Sequence, residues 1–456
     1  MLRWLARRRF AVASCLVATS LSLSGCDTLR SAVGDPGEAA RKPPPARAPA
    51  RPIQPAAPVA PPLQPPPPLT ETIEPVAPET VKVALVLPLS GRLANLGRAM
   101  SDAAQMAMFD LADRRLELQP MDDKGTPAGS ADAARQAAAD GTQLIIGPLL
   151  AASVRAVAPV STAAGIPVVA FSSDRNVAAP GVYIVGFTPD AEVERVVSYA
   201  VRGGLTRFGV LAPDNLYGTT VVDALRRAAA ANGASVTRVQ LYDATTQDFA
   251  PVVRKLANLP DPAAAAAAAA VPPTGSPTAL PPSTLPPPAV PTLPQPRPPF
   301  DALLLAEGGA QLRAMAAAAT VAGVGPPAVQ LLGTGKWDEP GVGTEPALVG
   351  AWFAGPPPSG RDEFESRFKR VFGQAAPRLA TLAYDATALA AVLGRGPQAQ
   401  PFSEAALTDP NGFFGRDGLF RLNADGTAER RLAILRVERT GVAVIDEPPR
   451  SFAAGS

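Results

Sequence analysis

Two short segments of the sequence have residue spacings that are used in catalysis or phosphate binding. Residues 366–369 (SRFK) place a serine three positions before a lysine, the spacing of nucleophile and base in penicillin-recognising enzymes. Residues 333–336 (GTGK) match the end of a phosphate-binding loop, but Gln330 and Trp337 stand where that motif needs glycine and a hydroxyl residue. The first segment also lacks its Ser-Asp-Asn and Lys-Thr-Gly partners. We therefore interpret 366–369 as a charged helix face and 333–336 as a loop.

The sequence has no histidine and only two cysteines, which limits the catalytic groups and metal ligands that it could provide. A chain without histidine has no Ser-His-Asp triad, no Cys-His pair and no imidazole metal site. Asp122 and Asp123 are adjacent acids without clustered oxygen ligands, so we interpret them as a loop that follows a strand. A formal net charge of +2 gives no basic surface for nucleic acid. We expect no enzyme activity, no catalytic residue, no metal and no cofactor.

The first 26 residues have the pattern of a bacterial lipoprotein signal. Four arginines precede an uncharged, mostly apolar run over residues 10–23 that is too short to span a membrane. The run ends in residues 23–26 (LSGC), which resemble a lipobox. The resemblance implies that Cys26 carries fatty acids, such as palmitate, and becomes the first residue after residues 1–25 are removed. The alternative is an ordinary cleavage site beside an incidental cysteine.

The lipid would place the protein on a membrane, facing the periplasm. We expect the outer membrane rather than the inner one, although Asp27 resembles a signal for retention in the inner membrane.

The prolines divide the chain into folded and unfolded parts. Of 54 prolines, 16 fall in residues 27–80 and 15 in residues 260–299. Proline removes a backbone donor and fixes φ, so such stretches do not build a packed core. We predict a disordered tether over 26–80 and a disordered insertion over 260–299. The folded body then spans residues 81–449.

Apolar strand patterns and helical patterns alternate along this body. We predict strands over residues 81–87, 116–121, 144–146, 167–171, 208–211, 235–241, 302–306 and 330–333. We predict helices over residues 95–111, 130–140 with Ser130 as a possible N-cap, 153–164, 219–232, 249–259, 309–322, 361–372 and 376–393. This alternation is typical of parallel sheets covered by helices on both faces. Two such runs, separated by the turn-rich residues 186–190, predict an α/β fold of two doubly wound lobes.

Five segments, taken in order, resemble type I periplasmic binding proteins of the branched-chain amino-acid class. They are residues 83–91 (VALVLPLSG), 144–148 (LIIGP), 166–172 (IPVVAFS), 214–218 (DNLYG) and 384–386 (YDA). The resemblance implies two lobes that are joined by three crossovers and close around a cleft. It places the first lobe at about 81–188 and 358–411 and the second at about 190–355 and 415–448. The crossovers are expected near residues 186–191, 353–360 and 411–418.

The same resemblance indicates which residues would face the cleft. They are Ser90, Ser172, Ser173, Asp174, Tyr217, Glu307, Lys336 and Trp337. In amino-acid binders, first-lobe hydroxyls and amides hold the ligand carboxylate, and an acid and aromatic groups of the second lobe hold its ammonium and side chain. Here the hydroxyl position falls at Ala151 and the acid position at Gly335, and Asp174 would repel a carboxylate. We expect an amino acid to have lost most of its anchors, unless Glu307 replaces the acid.

A lipidated member with such a cleft resembles the activators of bifunctional penicillin-binding proteins. The better-known enteric activators add an N-terminal helical-repeat domain where this sequence has the tether, so we transfer no interface residue. The resemblance implies a regulator of peptidoglycan synthesis whose partner is a bifunctional penicillin-binding protein. The alternative is a lipid-anchored substrate-binding component of an ABC importer, whose partners would be an ABC permease and a small-molecule ligand such as an amino acid or another small polar solute.

Overall fold

The computed structural model describes residues 80–111, 115–259, 298–396 and 400–452. The expected signal peptide, Cys26, the tether up to residue 79 and residues 260–297 of the expected insertion lie outside the described residues. In the described part, strands and helices alternate and the predicted α/β class with parallel sheets is confirmed. Over these four ranges, no helix combines the length and the apolar character needed to cross a membrane.

The described part of the chain begins with a first lobe on a five-stranded parallel sheet, in the order β2-β1-β3-β4-β5. Its strands are β1 (Val81–Leu87), β2 (Leu116–Asp122), β3 (Leu144–Ile146), β4 (Val168–Ala170) and β5 (Val182–Ile184). Its first helices are α1 (Ala94–Leu111), α2 (Pro127–Ala139) and α3 (Ala151–Ala164). The sequence predictions missed β5 and started α2 three residues late. Thr126, not Ser130, caps α2, because its side chain accepts the Gly129 N–H.

After residues 185–188 the chain crosses into a second lobe. Its helices are α4 (Pro189–Arg202), α5 (Leu216–Ala231), α6 (Ala250–Ala257) and α7 (Gly309–Val321). Its strands are β6 (Arg207–Pro213), β7 (Ser235–Tyr242), β8 (Ala302–Leu305), β9 (Gln330–Gly333) and β10 (Trp352–Gly355). These five strands pair in parallel. The sequence predictions missed α4 and β10.

Two further crossovers complete both lobes. After residues 356–357 the chain returns to the first lobe with α8 (Pro358–Phe372), α9 (Ala380–Gly394), α10 (Glu404–Leu407) and a small antiparallel sheet. That sheet consists of β11 (Phe413–Gly415), β12 (Gly418–Leu422) and β13 (Ala428–Arg430). The last strands are β14 (Ala433–Glu438) and β15 (Gly441–Asp446). β14 pairs antiparallel with β10, and β15 pairs antiparallel with β14, which gives the order β15-β14-β10-β9-β8-β6-β7.

The third crossover therefore lies at residues 431–432, not near 411–418 as expected. Phe420 and Leu422 of β12 are buried in the same core as α1 and α9, so β12 belongs to the first lobe and not to the second. The glycine-rich residues 412–418 form the β11–β12 hairpin rather than a connection between lobes.

Burial on both faces of each sheet explains the continuous apolar strands. Along β1, Val83, Leu85 and Leu87 enter one hydrophobic core while Ala84 and Val86 enter the core on the opposite face. Side chains alternate between the faces of a strand, so a two-sided core needs apolar residues at every position. Burying each large aliphatic side chain contributes roughly 1.5–3 kcal/mol. The carboxyl ends of these rigid strands hold the residues that face the cleft.

Candidate functional site

A cavity of about 650 Å³ opens between the two lobes. The first lobe contributes residues 173–176, and the second lobe contributes Pro189 and Asp190 at the start of α4 together with residues of α5, Tyr217 among them. These segments follow β4, β5 and β6, at the strand ends where doubly wound folds bind ligands. The expected cleft residues Ser173, Asp174 and Tyr217 thus line one cavity.

The charges around this cavity are paired with one another. Asp174 Oδ2 accepts a hydrogen bond from the Arg155 guanidinium at 2.8 Å, and its Oδ1 accepts the Asn176 N–H at 3.0 Å. Asp190 forms an ion pair with Arg227. The Asp174 carboxylate is therefore neutralised within the first lobe. Contrary to the sequence interpretation, it is not a free negative charge that repels a ligand.

The three candidate serines have different surroundings. Ser172 is buried, and its hydroxyl accepts the Asp174 N–H at 3.1 Å, which shapes the loop after β4. Ser173 is exposed and lines the cavity. Ser90 is exposed, and its N–H donates to Asp122 Oδ1 at 3.2 Å. Ser173 is thus the serine that could meet a ligand in this cavity.

Asp122 is the last residue of β2, and Asp123 directly follows the strand. Asp122 Oδ1 also accepts the N–H groups of Leu89 and Lys124, at 2.9 and 2.8 Å. Asp123 is buried and accepts the Gly125 N–H and the Ser130 hydroxyl. These hydrogen bonds fix the turn after β2, although Asp122 itself belongs to the strand and not to the loop that the sequence predicted. Within the described ranges, no group of three or more Asp, Glu, His or Cys side chains could hold a metal ion.

Tyr217, Glu307 and Lys336 meet at the strand ends of the second lobe. The Lys336 ammonium lies 4.1 Å from the centroid of the Tyr217 ring and 2.8 Å from Glu307 Oε1. The Tyr242 hydroxyl donates to Glu307 Oε2 at 2.9 Å, and the Tyr217 and Thr334 hydroxyls are hydrogen-bonded at 2.8 Å. Burial raises the pKa of Tyr217, and burial together with Glu307 raises that of Tyr242, so both hydroxyls are protonated at neutral pH.

Trp337 does not face the cleft. Its side chain is fully buried in the core of the second lobe, with its ring centroid 6.1 Å from that of Phe353. It packs under Gly333, where a Cβ atom would lie 2.2 Å from the indole ring. The tryptophan therefore anchors the turn that presents Lys336, and the sequence interpretation of Trp337 as a ligand contact is corrected.

Glu192 fills the place beside Gly335, where the family resemblance put the ligand-binding acid. It lies in the first turn of α4, is 8% exposed, and its Oε2 accepts the Gly335 N–H at 2.8 Å. Burial raises the pKa of the Glu192 carboxyl to about 7, although the Gly335 N–H and Arg378 favour its charged form. A Cβ atom on residue 335 would lie 2.3 Å from Glu192 Oε1, so a side chain there would displace the Glu192 carboxylate.

A network of charges joins the two lobes beside the second crossover. Asp338 of the second lobe, whose side chain is 5% exposed, pairs with Arg361 and Arg378 of the first lobe. Arg378 Nη1 also lies 3.0 Å from Asp417 Oδ1, and its guanidinium stacks 4.2 Å from the centroid of Phe187 in the first crossover. We call Asp338, Arg361, Arg378 and Asp417 the interlobe cluster.

Asp385, in the YDA segment, supports this cluster from within the first lobe. Its carboxylate accepts the N–H groups of Arg416 and Asp417 at 2.7 and 3.4 Å, which fixes the β11–β12 turn. Burial and the nearby Asp417 carboxylate raise the pKa of Asp385. The motif thus positions Asp417 for its contact with Arg378.

The contacts at this site are charge pairs and hydrogen-bonded turns. Ser366 and Lys369 lie on α8, and Lys369 is exposed, as the sequence interpretation of a charged helix face expects. Sequence reasoning missed Glu192 and the interlobe cluster. One signal could have revealed Glu192. Asp190 and Glu192 are acidic residues that follow Pro189 at the start of an amphipathic pattern, as is typical of the first turn of a helix.

Comparisons with known proteins agree with this geometry. Residues 80–442 match the family described as periplasmic binding protein. A putative branched-chain amino acid ABC transporter protein from Rhodospirillum rubrum is 17% identical, with a TM-score of 0.65 over 80% of this chain and 100% of that one. The leucine-binding protein LivK from Thermotoga maritima is 18% identical, with a TM-score of 0.53 over 81% of this chain and 99% of that one. At such identities the likeness concerns the fold.

A curated relative matches a smaller part of the chain. The penicillin-binding protein activator LpoA from Glaesserella parasuis serovar 5 (strain SH0165) is 33% identical over 144 residues. The match spans 31% of this chain and 24% of the relative's length. These relatives are named as binding, transport or activator proteins.

Proposed function

Since the chain belongs to the periplasmic binding protein family, we propose that it is a non-catalytic envelope lipoprotein that activates a bifunctional penicillin-binding protein in peptidoglycan synthesis by direct contact. The observation that carries the proposal is that the charged side chains at the cleft are already paired with each other. Asp174 is held by Arg155, Glu307 by Lys336, and Asp338 by two arginines of the opposite lobe.

Such pairing disfavours a free amino acid as the ligand. A zwitterion that enters a closing cleft needs an opposite charge for its ammonium and donors for its carboxylate, because a buried charge without a partner costs several kcal/mol. Glu307, the residue that could replace the missing acid, already binds the Lys336 ammonium at 2.8 Å. Gly335, at the family's acid position, is covered by Glu192.

The curated relative and the N-terminal sequence support an activator. The matched protein from Glaesserella parasuis is named as a penicillin-binding protein activator. A lipid on Cys26 and a tether over residues 26–80 would let the folded body work at a distance from its membrane. A polyproline II chain of that length reaches roughly 170 Å, and a flexible coil averages about 40 Å.

A binding and activity assay with purified proteins tests the proposal. The full-length protein should bind a bifunctional penicillin-binding protein from the same organism on a biosensor surface and should increase its rate of glycan polymerisation or cross-linking. A control chain limited to residues 1–80 keeps the lipid signal and tether, and it should neither bind nor activate. Absence of binding by the full-length protein, or equal activity of the two chains, would remove the activator role.

The second candidate is a substrate-binding component of an ABC importer. The interlobe cavity of about 650 Å³ is within the ordinary size range of small-molecule pockets, and the structural neighbours include proteins named as ABC transporter components. If the solute is an amino acid, a charged side chain at the cleft must first separate from its present partner. A saturable rise in the melting temperature of the full-length protein with an amino acid would support the importer over the activator.

A further inference from the structure

The Lys336 side chain is bound in the way that proteins bind a ligand ammonium. Its Nζ lies over the face of the Tyr217 ring at 4.1 Å from the centroid and 2.8 Å from Glu307 Oε1. An aromatic face and a carboxylate are the two groups that hold an ammonium ion most directly. The lysine therefore occupies a cation site formed by its own protein.

The two walls of this site are fixed by bonds that do not involve the lysine. Tyr217 is held by the 2.8 Å hydrogen bond between its hydroxyl and that of Thr334. Glu307 is held by the 2.9 Å hydrogen bond from the Tyr242 hydroxyl to Oε2 and by the Gly308 N–H to Oε1. Removal of the Lys336 side chain would therefore leave a preformed site for a cation.

The main chain of Lys336 is also held by its neighbours. Thr334 accepts the Lys336 N–H, and the adjacent Trp337 is fully buried. Gly308 lies close beneath, where a Cβ atom would meet the Lys336 carbonyl at 2.9 Å. The Lys336 side chain is 41% exposed, whereas that of Glu307 is 15% exposed. The lysine thus covers its acceptor from the solvent side.

We infer that Lys336 is a tethered competitor, an autoinhibitory ammonium that excludes primary ammonium ligands from the Tyr217–Glu307 site. The inference concerns this site alone and holds whether the protein activates a synthase or carries a solute. Lys336 thus determines which ligands the Tyr217–Glu307 site accepts. With the lysine in place the site is filled, and without the lysine the site binds an alkylammonium ion.

Lysine replacement with a matched probe tests this inference. In the full-length protein, Lys336→Ala should create saturable binding of n-butylammonium, measured by calorimetry and by a rise in melting temperature at constant ionic strength. The probe carries the four-carbon chain and ammonium of the lysine side chain. Its dissociation constant should be at least tenfold lower for K336A than for wild type. The neutral n-butanol should give no such response.

Two control variants separate the site from general charge effects. Lys255→Ala removes an exposed lysine of the same lobe and should behave like wild type. The double variant K336A with Glu307→Gln should lose the gained affinity. A folded K336A with wild-type affinity for n-butylammonium would overturn the inference.

The wild-type protein offers a direct spectroscopic readout. The chain has six lysines, so selective ¹³Cε labelling gives a spectrum that can be assigned by substitution. The Lys336 ε-methylene protons should be shifted upfield by the Tyr217 ring and should return toward the other lysines in Tyr217→Leu. An unshifted Lys336 signal in wild type would also contradict the inference. A wild-type response to amino acids would instead defeat the activator proposal, so the two failures are distinguishable.

Discussion

Replacement of Asp338 with alanine should lower the free energy of unfolding of the full-length protein by about 3 kcal/mol. Asp338 is the second-lobe member of the interlobe cluster, and its side chain is 5% exposed. Its removal leaves Arg361 and Arg378, at 15% and 25% side-chain exposure, without their shared partner between the lobes. The loss is measured by urea unfolding followed through far-ultraviolet circular dichroism.

Two variants test whether the predicted loss of stability comes from the charge of Asp338. Asp338→Asn keeps the size of the side chain and should still lose much of the stability, because the amide cannot neutralise two guanidinium groups. Asp132→Ala removes an exposed aspartate that also pairs with an arginine, at 71% side-chain exposure, and should cost no more than about 0.5 kcal/mol. If D338A and D132A lose similar amounts of stability, the interlobe cluster does not hold the lobes together.

Replacement of Glu192 with glutamine should remove a pH dependence of stability. The pKa of the Glu192 carboxyl is raised by burial from 4.5 to about 7, so the native state binds more protons than the unfolded state between these values. Its contribution to stability is therefore complete below pH 4.5 and is lost as the pH rises through about 7. A shift of this size corresponds to ~3 kcal/mol between the two limits.

Glutamine mimics the protonated acid and can still accept the Gly335 N–H. E192Q and wild type should therefore be equally stable near pH 4.5, and E192Q should be the more stable at pH 8. Asp385, whose pKa is also raised by burial, is present in both proteins, so the difference between the two profiles reports on Glu192. Glu194→Gln, an exposed position on the same helix, should leave the wild-type pH profile unchanged. Parallel profiles for wild type and E192Q would show that Glu192 is charged throughout this range.

Charges around Glu192 come from both lobes. Arg378 of the first lobe favours the charged carboxylate, and Asp338 disfavours it. Deprotonation therefore adds a third negative charge near the interlobe cluster, where Arg378 already pairs with Asp338 and Asp417.

Much of the fold could be predicted from the sequence because the buried strands are continuous apolar runs. β1, β3 and β9 have the predicted bounds, since each of these runs ends at a turn or a polar residue. The helix α4 was missed because it starts at Pro189, within the turn-rich residues 186–190, and carries charges on its exposed face. The β11–β12 hairpin was mistaken for a crossover because the family resemblance of residues 411–418 does not show which lobe Phe420 packs against.

The site could be predicted only in part. Tyr217, Glu307 and Lys336 follow β6, β8 and β9, which are neighbours in one sheet. The family resemblance named all three as cleft residues but did not predict their contacts with one another. The orientation of Trp337 could not be inferred, because one turn after a strand can point a side chain into the core or the cleft. Contacts such as Glu192 with Gly335 join residues 143 positions apart, and no local spacing reveals them.

The distance between the lobes is the most direct test of the central claim that the cleft is held by its own charges and not by a captured amino acid. Spin labels at Val371→Cys on α8 and Val321→Cys on α7 occupy exposed positions of the first and second lobes, in a full-length chain with Cys15 and Cys26 replaced by serine. Pulsed electron paramagnetic resonance should give one narrow distance that saturating amino acids leave unchanged, and D338A should broaden it. A wild-type distance that shortens when leucine or another amino acid is added would contradict the claim.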